Sequence, residues 1–435
     1  MQQHKFLTLC SLPIFAVPAF ALALTLDKMS VGGALFTALC LALLAGLAFY
    51  ALFRSDGDFS PKLLIPVLAV VYIALLARIL FFDHETGDYL NFLKPWTQYF
   101  RDYGGFAGLK RSIGNYNIPY LFCLALFSYI PMSELYLIKL LSIGFDLFLA
   151  VSIAKLVLTA SGSHGCRYLI SFAAAMLLPT VFLNGSCWGQ CDSIYGGLAI
   201  LSVYFILSDR PWHSMAALAL SFAFKLQAIF IFPVFFVFLY TKKLKLYHLP
   251  LFPIVYFLAV SPAILAGRPV LDTLLIYVNQ SSTVGNSLNY NSPSVFSMFY
   301  NVSSPELYST AGIACAFGFC AIMFILLFFL RRRLGSSALL MAAFVFALAV
   351  PLLLPHMHER YFFLADVLSL AVAFVLPKAA PVPVLCSFAS LLGYHAYLKN
   401  RFLLLMHWGF CALAFALIMA LLLMSECLEP AASKE

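Results

Sequence analysis

Apolar runs of about 16–25 residues succeed one another along the chain, parted by short polar segments. They predict spans at about 7–26, 32–53, 63–82, 134–158, 167–183, 193–208, 212–224, 226–240, 247–266, 308–330, 336–354, 362–377, 380–397 and 402–424. Several are shorter than the roughly 20 residues that a straight crossing needs. The piece from Tyr120 to Ile130 is too short to cross alone and reads as a re-entrant or interfacial helix. The run Phe6–Leu26 lacks a small-x-small cleavage site and reads as a retained span. The expected fold is all-α: a polytopic membrane protein of about 13–14 transmembrane helices. Three regions are expected: two extra N-terminal helices in 1–62, a transmembrane module in 63–266 with its external loop at 83–118, and 267–435 with a second loop at 267–307.

The polar breaks are unequal. Asp83–Pro119 carries charges throughout, with Trp96 and several tyrosines among them. The break at 267–307 is rich in Asn and Ser and nearly uncharged, which suits either a neutral polyol or an ordinary polar loop. The basic groups Arg331-Arg332-Arg333 and Lys242, Lys243, Lys245 mark cytoplasmic loops. Lys378, Arg210, Arg167 and the Arg54/Lys62 pair agree with them. Counting crossings from these puts both termini inside, and Asp83–Pro119, Asn184–Asp192, Gly267–Glu306 and Pro355–Arg360 together outside. That parity requires 212–240 to be two short helices split at Lys225. The split also removes a lysine from the bilayer centre, where a charge costs about 2.5–3.5 kcal/mol.

Composition narrows the class. Of 435 residues, 63% are hydrophobic and 10% charged, and mean hydropathy is +0.96, more apolar surface than a soluble domain can bury. The net charge of +8 belongs to cytoplasmic loops and is no sign of nucleic acid. The eleven cysteines sit mostly in apolar runs, where Cys is a small hydrophobe, and free thiols are expected, including Cys187 and Cys191.

The external clusters combine complementary chemistry. A carboxylate such as Asp88 can accept a hydroxyl proton. Lys225, Arg360, His356 and His358 can neutralise an anionic leaving group such as a phosphate. Tyr89, Trp96 and Trp188 can stack on sugar rings. Gln190, Asp192, Gln227 and Glu359, with Gln280, Asn289 and Asn291 of the Asn/Ser-rich loop, complete the expected substrate-binding set. A phosphate inside a membrane cavity points to a lipid-linked donor. A flippase or transporter of lipid-linked sugars is the main rival, but no internal repeat is visible. A surface-glycan polymerase or ligase is another.

The segments G-D-Y-L-N-F-L-K-P-W, N-Y-N-I-P-Y, N-G-S-C-W-G-Q-C-D-S-I-Y, F-K-L-Q-A-I-F and H-M-H-E-R-Y-F occur in that order between about Ile65 and Leu376. In order and spacing the chain resembles the GT-C superfamily of integral-membrane glycosyltransferases. It is most similar to bacterial relatives of the mannosyltransferase that adds the second mannose to GPI anchors, and to the dolichyl-phosphate-glucose glucosyltransferases. The resemblance implies an inverting transferase that uses a polyprenyl-phosphate sugar as co-substrate and a glycan or glycolipid acceptor, on the extracytoplasmic face of the plasma membrane. It places the catalytic base at Asp88 rather than Asp83, Glu85 or Asp102, and donor-phosphate contacts at His358 and Arg360. Where oligosaccharyltransferase relatives keep a metal-binding acidic motif, this chain has only Asp192. No metal or other cofactor is expected.

Overall fold

The structure, a computed structural model, describes residues 2–55, 61–162, 166–281, 287–299 and 302–430. Among them the chain is helical nearly throughout, and the only paired strands are two residues long, Asn289–Tyr290 beside Met357–His358. Among the described residues, nine helices are long and apolar enough to cross a membrane, and a tenth span forms if Cys166–Leu177 and Pro179–Trp188, bent by 49°, count as one. The protein is a multi-pass, all-helical membrane protein.

Every expected span coincides with helix, but the expected 13–14 full crossings exceed what length supports. Asp192–Leu207 has 16 residues, Pro211–Phe224 has 14 and Phe363–Val375 has 13. At 1.5 Å per residue such helices reach about 20–24 Å, short of a hydrocarbon core of about 30 Å. They are short because their ends turn aside to build a polar cavity.

The breaks have local causes. Leu178 is extended at ψ 120°, as the ring of Pro179 demands of its predecessor, so the helix stops and restarts. Lys225 is extended at φ −155°, ψ 134°, and parts Pro211–Phe224 from Leu226–Tyr240. This is the split at Lys225 that the external grouping requires.

Glu134–Ser161 and Ser336–Leu353 are mostly buried and form the centre with Asp192–Leu207 and Phe363–Val375. Pro305–Phe329 and Leu251–Leu265 show most of their surface outward. The N-terminal pair Gln2–Ala23 and Val31–Phe53 packs on Pro61–Ile79 and Glu134–Ser161.

A fully buried ion pair pins the centre. Arg78 Nε donates to Asp146 Oδ2 at 3.1 Å, and its other nitrogens donate to the carbonyls of Ala74 and Met176. Ser193 Oγ donates to Asp146 Oδ1 at 2.5 Å. Four donors are thus matched with four acceptors across four helices, which is what makes a buried pair tolerable. A Cβ on Gly185 would lie 2.8 Å from the Asp146 carboxylate, so only glycine lets the 184–191 segment settle on this pair.

Candidate active site

The loop after Pro61–Ile79 is largely helical: a π-helical turn Tyr89–Leu93, a helix Lys94–Asp102 and a 3-10 turn Gly105–Lys110. Its acids divide the labour. Asp83 accepts from Tyr136 Oη (2.5 Å) and the Asp27 N–H (3.1 Å), and Glu85 pairs with Lys28 (3.1 Å). These tie the loop to the N-terminal helices. Asp102 accepts from Gln98 at 2.8 Å on the exposed side. Lys139 Nζ donates to the carbonyls of Phe81 and His84, closing the turn before the loop.

Asp88 alone of these acids lines a cavity, of about 410 Å³. Its Oδ2 accepts from Trp188 Nε1 (2.9 Å), Gln190 Nε2 (2.6 Å) and Arg360 (2.9 Å), and its Oδ1 accepts from Tyr397 Oη (2.5 Å). These donors come from three separate parts of the chain. The 184–191 segment holds its pair through a second π-helical turn, Leu183–Trp188, which ends at Gly189 with φ 75°. That left-handed conformation reverses the chain between Trp188 and Gln190, so both reach the same carboxylate oxygen. Such wide turns recur at functional sites, and here they flank both halves of the constellation. Thr86 Oγ1 further bridges the loop to the Trp188 carbonyl at 3.3 Å.

Arg360 lies 5.3 Å from the centre of the Trp188 ring. Burial opposes its charge, but Tyr116, Asp88, Glu359 and Asp192 outweigh it and hold the guanidinium protonated well above its ordinary range. Its Nε–H has no hydrogen-bond partner among the described residues. Lys225 donates to Asp192 Oδ1, while Asn184 Nδ2 donates to Asp192 Oδ2 at 2.7 Å. The carboxylate therefore sits behind Lys225, and the ammonium reaches the cavity wall.

The structure brings nine of the expected residues to this cavity: Asp88, Trp96, Gln190, Lys225, Gln227, His356, His358, Glu359 and Arg360. Others take different places. Trp188 is 1% exposed, stacked on Tyr397 at 4.5 Å, so its ring is covered and orients Asp88 instead of a sugar. Tyr89 is buried and donates to Glu134 at 3.1 Å. Asp192 is buried as the partner of Lys225. Asn289 closes a turn, donating to the Ser292 carbonyl and accepting the Ser292 N–H at 2.7 Å. Asn291 holds a left-handed backbone, φ 55°, and bridges to His358. The Gln280 side chain lies outside the described residues.

His356 also has positive φ, 61°; its Nδ1 lies 2.8 Å from the Ser287 carbonyl and its Nε2 3.3 Å from Ser309 Oγ. It stands where the cavity meets a larger one of about 1170 Å³, which also shares Leu226, Gln227 and Tyr361. His358 is stacked on Tyr290 at 4.6 Å.

Tyr397 is the member of the constellation that sequence reasoning missed. It lies at the end of an apolar helix, where a tyrosine looks like an interface anchor; the one available signal was Tyr394 three residues earlier, on the same helical face. Tyr116, which donates to Gln190 Oε1 at 3.1 Å, was passed over inside a motif already noticed. All eleven cysteines are free, as expected. Among the described residues, no three His, Cys, Asp or Glu side chains gather as a metal-binding group. No protein-family model matches the chain, and no curated protein matches it in sequence.

Proposed function

We propose that the protein is an inverting glycosyltransferase that moves one sugar from a polyprenyl-phosphate donor to a glycan or glycolipid acceptor. The observation that carries this is the Asp88 carboxylate at the wall of a cavity that also holds Arg360 and Lys225. An acid for a hydroxyl proton and cations for a phosphate stand in one enclosure.

Asp88 Oδ2 already accepts three donors, whereas Oδ1 accepts one. A carboxylate oxygen has about two lone-pair sites. The acceptor hydroxyl therefore docks on Oδ1 beside Tyr397. Its proton passes to Oδ1 as its oxygen attacks the anomeric carbon from the face opposite the phosphate. The bond from that carbon to the phosphate oxygen breaks, and its electron pair leaves with the lipid phosphate. The unpaired Nε–H of Arg360 and the two donors that Lys225 keeps after binding Asp192 meet the departing charge. Leu226, Ile229, Phe230, Leu307 and Leu354 along the adjoining cavity give an apolar chain a way out to the bilayer.

On this reading the cavity opens on the extracytoplasmic side of the plasma membrane with both termini inside, and the positive-inside pattern of the basic loops supports that orientation. The test is transfer from a panel of radiolabelled polyprenyl-phosphate hexoses to a membrane glycan extract, with Asp88→Asn as control. Label reaching a new product with the wild type alone supports the reading. No transfer from any donor, with the labelled lipid instead crossing a liposome bilayer, overturns it in favour of a flippase.

A further inference from the structure

The opposite end of the molecule holds a second polar cavity, of about 860 Å³, that plays no part in the chemistry at Asp88. Glu134–Ser161 connects the two: Glu134 binds Tyr89 of the first loop, and Lys155 lies about 30 Å further along at 1.5 Å per residue. Lys155 faces this cavity together with Arg54, Arg210 and His213, and with Tyr50 and Tyr204. Arg54, Lys155 and Arg210 thus bring three like charges to one cavity. No carboxylate pairs with these three cations among the described residues. Asp209, next to Arg210, is engaged by Lys243 at 2.9 Å, and Asp56 and Asp58, which follow Arg54, lie outside the described residues. Helix ends explain part of this: Arg54 follows the last turn of Val31–Phe53, and cations suit C-terminal carbonyls. That role accounts neither for the space left between the side chains nor for three like charges turned toward it.

We propose that this cavity is an anion site that takes a phosphate group, as the headgroup of an anionic phospholipid of that leaflet. The three cations supply the charge, and the hydroxyls of Tyr50 and Tyr204 and the His213 ring supply hydrogen bonds. A basic pocket between helices at the basic end of a membrane protein suits such a headgroup. Inorganic phosphate offers the same chemistry from solution.

The purified full-length chain is mixed with micelles carrying equal amounts of phosphatidylglycerol and phosphatidylcholine, and the retained lipid is read by native mass spectrometry. A parallel arm measures thermal stabilisation by inorganic phosphate. The wild type should retain phosphatidylglycerol preferentially, and Lys155→Gln and Arg210→Gln should each weaken that preference about five-fold, near 1 kcal/mol per cation. Arg54→Gln, at an exposed residue, repeats the test should either of the others fail to fold. Stabilisation by phosphate without a lipid preference, lost in the same variants, supports the anion site and assigns it a soluble ligand. Retention unchanged in every variant, or lost equally in Lys242→Gln outside the cavity, overturns the proposal. Because transfer is not read, the outcome is separate from that at Asp88.

Discussion

The two ends of the Glu134–Ser161 helix treat charge in opposite ways. At the Asp88 end the ionised groups near the cavity are matched with partners: Asp88 with Arg360, Lys225 with Asp192, Arg101 with Glu134 at 3.4 Å. At the other end Arg54, Lys155 and Arg210 share a cavity with no acid among the described residues. On the proposed readings, the difference is one of task. A site that must change the charge of its ligand during a reaction needs a base held ready and cations kept from collapsing onto one another, so opposite signs are interleaved. A site that only holds an anion gains most from a single sign. Lys225 and Lys155 illustrate the contrast, since each is a lysine within an apolar stretch. Lys225 is 7% exposed and would be intolerable without Asp192, whereas Lys155 is only partly buried and lines an open cavity.

The largest effect should come from the acid end. Asp88→Asn keeps the shape but removes the proton acceptor, and turnover should fall about 10²–10⁴-fold in protein that still folds, its melting temperature lowered by the loss of the Arg360 ion pair. Near-normal transfer by that variant would sink the assignment. Lys225→Met should destabilise by about 3–5 kcal/mol because it strands Asp192 as a buried, uncompensated carboxylate. Pairing it with Asp192→Leu should recover much of that loss in a denaturation midpoint; no recovery would mean that the pair is not what holds this wall together.

Smaller losses sharpen the picture. Arg360→Ala should impair transfer about 10²-fold or more, with the donor's KM and the kcat affected beyond the acceptor's KM. Equal damage to both substrates would count against a phosphate role. Tyr397→Phe removes one hydrogen bond to the Asp88 carboxylate, about 1.5–3 kcal/mol, so roughly a 10- to 100-fold fall in kcat is expected, with Asp88 oriented by its three other donors. The smallest effect should be that of Lys155→Gln on transfer itself: none beyond error, since its cavity lies a helix-length away. A large fall there would tie the two ends together.

Much of this was legible in the chain, for physical reasons that differ by residue. Lys225 stood out because a charge in an apolar run demands an explanation, and the extended backbone found there satisfies it. The same logic applies to Arg78 and Asp146, charges within the third and fourth spans that each need a partner and find it in the other. Asp88 could be singled out from its neighbours only by motif; in the fold it is separated from Asp83, Glu85 and Asp102 by what each one binds. The roles of Trp188 and Asp192 could not be read. An aromatic or an acid in an external loop looks the same in sequence whether it meets a ligand or another side chain.

Hydropathy along the chain determined that the protein is helical and threads a membrane many times, because the bilayer offers backbone groups no partner except each other. It also determined that polar chemistry would gather in a few short breaks and that Lys225 would interrupt a helix. Tertiary structure alone decided which breaks meet. Asp88 and Tyr397 are 309 residues apart and touch only because Tyr394 and Tyr397 of one helix pack on Asn184 and Trp188. Contacts across such separations depend on how helices stack, which local periodicity does not encode. The same stacking decided that Trp188 would support the carboxylate and leave Trp96 at the cavity wall.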